Sequence, residues 1–156
     1  MQTCCRRLNA CIEYLLFTIG FSMALLVAAQ VFYRYVLNNS LFWSEELARY
    51  MLVWISFLGA TTAYYKGLHP GVDFIVSRLS ATQRRWTAIV VHLVSISLFT
   101  TITVAGFQFA YFVRHQISPA LGIEKWVILA VIPISGIILI GYALTALACT
   151  ARGDWS

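Results

Sequence analysis

Four long apolar runs, 12–33, 47–65, 87–112 and 126–149, are separated by segments that hold most of the charged residues. Each run is long enough to cross a hydrocarbon core of about 30 Å as a helix rising about 1.5 Å per residue. In lipid a chain must satisfy its own backbone hydrogen bonds, so each run is predicted to be a transmembrane helix. The second helix is predicted to span 44–65. Ser44 is a good N-cap, and acids in the first turn suit the positive end of the helix dipole. The third run has 26 residues, so it is predicted to tilt or protrude. Pro133 leaves the Leu129 carbonyl without its usual donor and is predicted to kink the fourth helix.

The longest connection is 66–86. Its segment "VDFIVSRLS" places Val72, Ile75, Val76 and Leu79 at helical spacing, with Asp73 and Arg78 among them. This pattern fits a short amphipathic helix over about 72–79 lying on the membrane surface, or an ordinary connecting turn. Aromatic residues sit near the ends of the runs, among them Phe32, Tyr33, Trp43, Tyr64, Tyr65, Trp86, Tyr111, Phe112 and Trp126. That is the expected interfacial belt.

Composition strengthens the pattern. Of 156 residues, 60% are hydrophobic and 11% are charged, less than half the charged share of an ordinary soluble domain. The fold class is therefore an all-α membrane protein, a single integral membrane domain over 1–156 with four transmembrane helices and the interfacial helix. Arg6 and Arg7, followed by an apolar run with "VAA" at 27–29, imitate a secretory leader. The run is longer than a leader's apolar region and contains Glu13, so it is read as a retained first span.

Arg6, Arg7, Lys66, Arg78, Arg84, Arg85 and Arg152 fall on one side of this topology, and Arg34, Arg49, Arg114 and Lys125 on the other. The excess places both termini and the 66–86 loop in the cytoplasm. It places Glu45, Glu46 and Arg49 at the outer face. Lys66, Arg78, Arg84 and Arg85 are candidates for anionic lipid headgroups. The basic residues flank apolar runs, so the net charge of +5 reflects topology and not nucleic acid.

Chemistry is sparse. Cys4, Cys5, Cys11 and Cys149 form no C-x-x-C pair and read as reduced thiols at the cytoplasmic membrane face. No metal site and no cofactor is expected. The apolar centres hold no acid and no lysine, whereas a transporter that moves its own substrate keeps an ionisable group or a broken helix near the midplane. His92 reads as a packing or interfacial histidine, and a haem site would need paired histidines on facing helices. No phosphate loop, nucleophile elbow or metal-helix motif appears, so the chain is not read as an enzyme.

The spans do carry packing texture. Ser56 and Ala60, and Gly59 and Ala63, are pairs four apart on the second helix; Gly141, Thr145 and Cys149 repeat the spacing on the fourth. Small residues let helices approach closely in membranes. These faces serve either internal packing or an interface with another protein. Glu45 and Glu46 stand four and three residues before Arg49, so both acids are within helical reach of one guanidinium. The cluster is either a solvated helix start or a docking point for a partner subunit.

The stretch "WSEELARYMLVWISFLGATTAYYKGLHPGVDFIVSRLS" carries Trp43, the Glu45-Glu46-Leu47-Ala48-Arg49-Tyr50 block, Trp54, Phe57-Leu58-Gly59-Ala60, His69 and Asp73. It resembles the small membrane subunit of tripartite ATP-independent periplasmic (TRAP) transporters. The match covers about 40 residues, and the four-helix layout extends it along the chain. One departure is Pro70-Gly71 between His69 and Asp73. The resemblance implies a bacterial inner-membrane protein that pairs tightly with a much larger membrane subunit. That subunit holds the substrate and sodium sites and moves its transport domain like an elevator. A periplasmic binding protein delivers an organic acid. The small subunit is then a fixed scaffold, with Trp43, Glu45, Glu46, Arg49, Trp54, Ser56, Gly59, Ala60, Ala63, His69 and Asp73 as candidate interface or structural residues. Two other readings are a membrane anchor of a redox complex and a stand-alone four-helix exporter. The exporter needs an acid deep in its first helix, and Glu13 lies at the edge.

Overall fold

The computed structural model describes residues 2–67 and 80–152. Over these residues the chain is all-helical: α1 (Gln2–Tyr35), α2 (Phe42–Tyr65), α3 (Ala81–Phe112), α4 (Lys125–Leu129) and α5 (Val131–Arg152). Among the described residues three helices are long and apolar enough to cross a membrane, Cys5–Tyr35, Gln83–Phe112 and the combined α4–α5 stretch Lys125–Thr150. α2 has 24 residues, a comparable length, but its first two turns carry Glu45, Glu46 and Arg49. The expected interfacial helix over 72–79 lies outside the described residues, as do His69, Asp73 and Arg78.

Several boundaries differ from the sequence expectation. α1 begins ten residues before the apolar run, because 2–11 contain no glycine or proline to end it. α2 begins at Phe42, with Leu41 as its N-cap. Ser44 is not the cap. It lies in the first turn, fully buried, and its hydroxyl donates back to the Leu41 carbonyl at 2.6 Å. The α1–α2 connection turns through Asn38 at φ 49°, a left-handed conformation that asparagine tolerates better than most residues. α3 starts at a capping box in which the Ser80 N–H donates to Gln83 Oε1 at 3.1 Å.

The fourth run is two helices and not one. The Ala130 N–H still reaches the Trp126 carbonyl and the Ile134 N–H reaches Ala130. Pro133 has no N–H for Leu129, four residues before it, and the break falls between Leu129 and Val131.

In space the long helices follow the order α1, α2, α5, α3, with the broad α3–α5 contact dominating and α4 packed on α3 and α5. Ile12, Leu58 and Val131 form one buried cluster across α1, α2 and α5. Phe99, Leu139 and Ala143 form a second between α3 and α5. The closest backbone approach lies in that second interface. A Cβ on Gly136 would stand 2.1 Å from Thr103 Oγ1, and one on Gly106 would stand 2.8 Å from Ile132 Cγ2. Outward faces of α1 and α3 are rich in exposed apolar side chains, including Phe17, Phe21, Leu25, Val94, Leu98 and Phe107.

Candidate functional site

The ion pairs between α1 and α2 lie at the two ends of an antiparallel hairpin. At one end Lys66 Nζ lies 2.9 Å from Glu13 Oε1, and the Asn9 amide donates to the same carboxylate oxygen. At the other end Arg34 lies 3.5 Å from Glu45 Oε1, which also accepts from Gln30 Nε2 at 3.1 Å. Glu13 and Arg34 are 21 positions apart on α1, as are Glu45 and Lys66 on α2. That spacing is about 31 Å of helix, close to the thickness of a hydrocarbon core. The polarity of the two pairs is reversed: α1 supplies the acid at one end and the base at the other.

The expected pairing of Glu45 and Glu46 with Arg49 does not form. Glu45 turns to Arg34 of α1. Glu46 accepts the Tyr50 hydroxyl, one turn on, and the Ala120 N–H at 2.9 Å. Each acid thus finds donors on a neighbouring segment, where it joins two elements. Arg49 is exposed, and neither ion pair among the described residues includes it.

Glu46 therefore meets the connection between α3 and α4. This segment is a small hairpin with an antiparallel bridge between Ile117 and Glu124. The Ser118 N–H donates to Ile123 O at 2.8 Å, Lys125 N–H to Gln116 O at 2.9 Å, and Gly122 supplies the positive φ of the turn. Ser118 is buried.

Trp54 joins α2 to the broken fourth run. Its indole N–H donates to the Ile128 carbonyl at 3.1 Å, at the break where the helix ladder is incomplete. Beside it lies an apolar cleft of about 240 Å³, walled by Ile19, Leu47, Met51, Trp54, Val127 and Ile128 among others.

The small-residue strip of α2 is open. Ser56 and Ala60 are exposed, and a Cβ on Gly59 would meet nothing within 4 Å. Ala63 is half-buried. On α5 a Cβ on Gly141 would likewise meet nothing. Internal close packing uses Gly106 and Gly136 instead. Trp43 sits exposed on the first turn of α2. Arg84 and Arg85 are exposed at the start of α3.

His92 lies half-buried on α3 between the Tyr64 hydroxyl at 3.5 Å and Thr150 Oγ1 at 3.4 Å. Among the described residues no group of three His, Cys, Asp or Glu is placed to hold a metal. Sequence reasoning passed over Arg34, Gln30, Asn9 and Ala120. The matching 21-residue separations were the signal for the first; the loop amide left none.

A family model described as "Tripartite ATP-independent periplasmic transporters, DctQ component" matches residues 23–153. The C4-dicarboxylate TRAP transporter small permease protein DctQ of Rhodobacter capsulatus is 32% identical over 109 residues, 68% of this chain and 48% of that protein. The ectoine TRAP transporter small permease protein TeaB of Halomonas elongata is 33% identical over 134 residues, 80% of this chain and 66% of that protein. The sialic acid TRAP transporter permease protein SiaT of Haemophilus influenzae is 32% identical over 136 residues, 85% of this chain but 21% of that protein. The chain thus spans about half the length of the Rhodobacter relative and a fifth of SiaT.

Proposed function

The chain belongs to the DctQ-component family of TRAP transporters, as a small permease subunit, and we propose that it is the fixed scaffold for a larger membrane subunit in ion-driven uptake of an organic acid. It is a multi-pass inner-membrane transport component and not an enzyme. The observation that carries the scaffold reading is the uncovered strip of Ser56, Gly59 and Ala60 on α2. Small residues on a membrane helix are wasted against lipid and useful against another helix. The chain closes its own core elsewhere, with Gly106 and Gly136. SiaT, in which a stretch similar to this chain is about a fifth of one permease protein, supports a partner of greater size.

α2 completes the membrane domain as a fourth span in this reading. Ion pairs about 31 Å apart bracket both α1 and α2, so a hairpin whose first arm crosses the bilayer carries the second arm across with it. An ionised group is costly inside the hydrocarbon, and both pairs stand at its edges. The positive-residue excess then puts the Lys66 end and both termini in the cytoplasm. Arg84 and Arg85, exposed at the start of α3, are proposed to meet inner-leaflet phosphates. Trp54 sets the broken helix beside α2, and the cleft next to it is free for an apolar side chain of the large subunit. Arg49, with its neighbouring acids engaged elsewhere, offers a guanidinium to that subunit. His69 and Asp73 are proposed as partner-side residues of the inner loop. A periplasmic binding protein delivers the substrate at the outer face, and sodium is the proposed coupling ion.

Glu13 lies at a membrane edge and is held by Lys66 and Asn9, which disfavours an exporter that loads protons on a first-helix acid. The scaffold reading is tested by co-expressing the tagged chain with a large TRAP permease subunit and comparing recovery of the pair for wild type and Arg49→Ala. A several-fold loss of the intact complex is expected for the variant. Full recovery of a transporting complex refutes the role given to Arg49.

A further inference from the structure

We propose that Glu46 is a positioning residue: its carboxylate latches the α3–α4 hairpin onto the outer end of α2 and so fixes the surface the subunit shows at that face. The inference rests on the scaffold reading only for which partner uses the surface. The resemblance made Glu46 a candidate partner contact. The structure engages it within the chain. One oxygen takes the Tyr50 hydroxyl from the next turn of the same helix, and the other takes the Ala120 N–H from a segment 74 residues away.

The geometry explains why an acid stands there. Residues 113–124 form a connection of twelve residues with no helix, longer than most loops within compact domains and of the kind that carries function. Its own hydrogen bonds hold the two arms of the hairpin to each other, through Ser118 with Ile123 and Gln116 with Lys125. They do not hold it to the membrane domain. Ala120 is at the tip, where its N–H has no partner in the hairpin ladder. An amide in that position either faces water or is taken by an acceptor on another element. A carboxylate is the strongest acceptor available, since hydrogen bonds to ionised groups exceed those to neutral ones. Tyr50 completes the arrangement by orienting the carboxylate from its other oxygen. The consequence is that Ile117, exposed at 64%, is presented on a segment locked to α2 and not on a free loop. At the outer face a soluble partner reads that segment, and a fixed loop binds it without the entropy cost of ordering.

The test uses the chain in lipid nanodiscs, with amide exchange followed residue by residue. Glu46→Ala should speed exchange at Ala120 by about tenfold or more, the effect of losing one charge-assisted bond, while amides of α5 near Ala143 keep their rates. Glu46→Gln keeps an acceptor oxygen and should stay within about threefold of wild type, since a neutral bond replaces a charged one. In proteoliposomes with the large subunit, Glu46→Ala should raise the half-saturating concentration of the binding protein and leave the maximal rate unchanged, and Glu46→Gln should restore it. Unchanged Ala120 exchange in Glu46→Ala overturns the latch. Faster exchange with an unaltered half-saturating concentration overturns its role in presenting the outer surface. Failure of the wild-type chain to form a complex refutes the scaffold reading instead, and the exchange measurement still decides the latch.

Discussion

The ammonium of Lys66, at the end of α2, lies 2.9 Å from the carboxylate of Glu13 on α1, and the same two helices are joined again 21 residues away by Arg34 and Glu45. Two ion pairs of opposite polarity define one register for the hairpin. A shift by one turn would move both acids away from their bases and bring apolar faces of the wrong pitch together.

The register should therefore respond to charge and not to size. Glu13→Lys or Lys66→Glu alone should lower the melting temperature of the purified subunit, since each puts two like charges at the 2.9 Å contact. The Glu13→Lys, Lys66→Glu double variant should recover most of the loss, which a thermal-shift double-mutant cycle measures. Additive losses would show that the pair does not hold the register.

Trp54→Phe should keep the packing around Leu58 and Val131 while depriving the Ile128 carbonyl of its donor. A cost of about 1–2 kcal/mol is expected for a polar group left without its partner. Unfolding in mixed detergent micelles reads it. Trp54→Ala adds the loss of the ring and should cost clearly more, about 3–5 kcal/mol for a well-packed site.

The two kinds of glycine should separate. Gly136→Ala drives a methyl into Thr103, whose Oγ1 would be 2.1 Å away and whose backbone is close behind. It should destabilise the subunit by about 1–3 kcal/mol through overpacking. Thr103→Ala should relieve part of that loss, because it removes the nearest atom but leaves Cβ at 3.2 Å. Stability of the isolated chain, followed by loss of helicity on heating, distinguishes the two.

The reading of the chain as a membrane protein came from apolar runs, and Pro133 marked a disturbance in the fourth run. α3 starts at Ala81, six residues before the apolar run at 87, because the Ser80–Gln83 capping box begins the helix in a polar segment that hydrophobicity alone assigns to the connection. Ser44 misled because serine near a helix start normally accepts from the backbone. Here its hydroxyl donates to Leu41, and Phe42 has already entered the helix. The Glu45–Glu46–Arg49 block misled for a related reason. Helical spacing shows which groups are within reach along one helix, and says nothing of Arg34 on the preceding helix or of a loop amide 74 residues on. The α3–α5 contact at Gly106 and Gly136 was hidden because Gly136 has isoleucine four residues to either side and Gly106 has only Ala110 at that spacing, and close approach at one point needs only one small residue on each side.

The central claim is that the open strip of α2 is an interface and not part of the chain's own core, and Gly59→Leu tests it most directly. A side chain at Gly59 meets nothing within 4 Å in the subunit itself, so the melting temperature of the isolated variant should match or exceed wild type, helped by the higher helix propensity of leucine. Recovery of the large permease subunit with the tagged variant should fall by about tenfold or more, corresponding to about 1.4 kcal/mol or more of lost association. Wild-type recovery of a transporting complex by Gly59→Leu would contradict the claim.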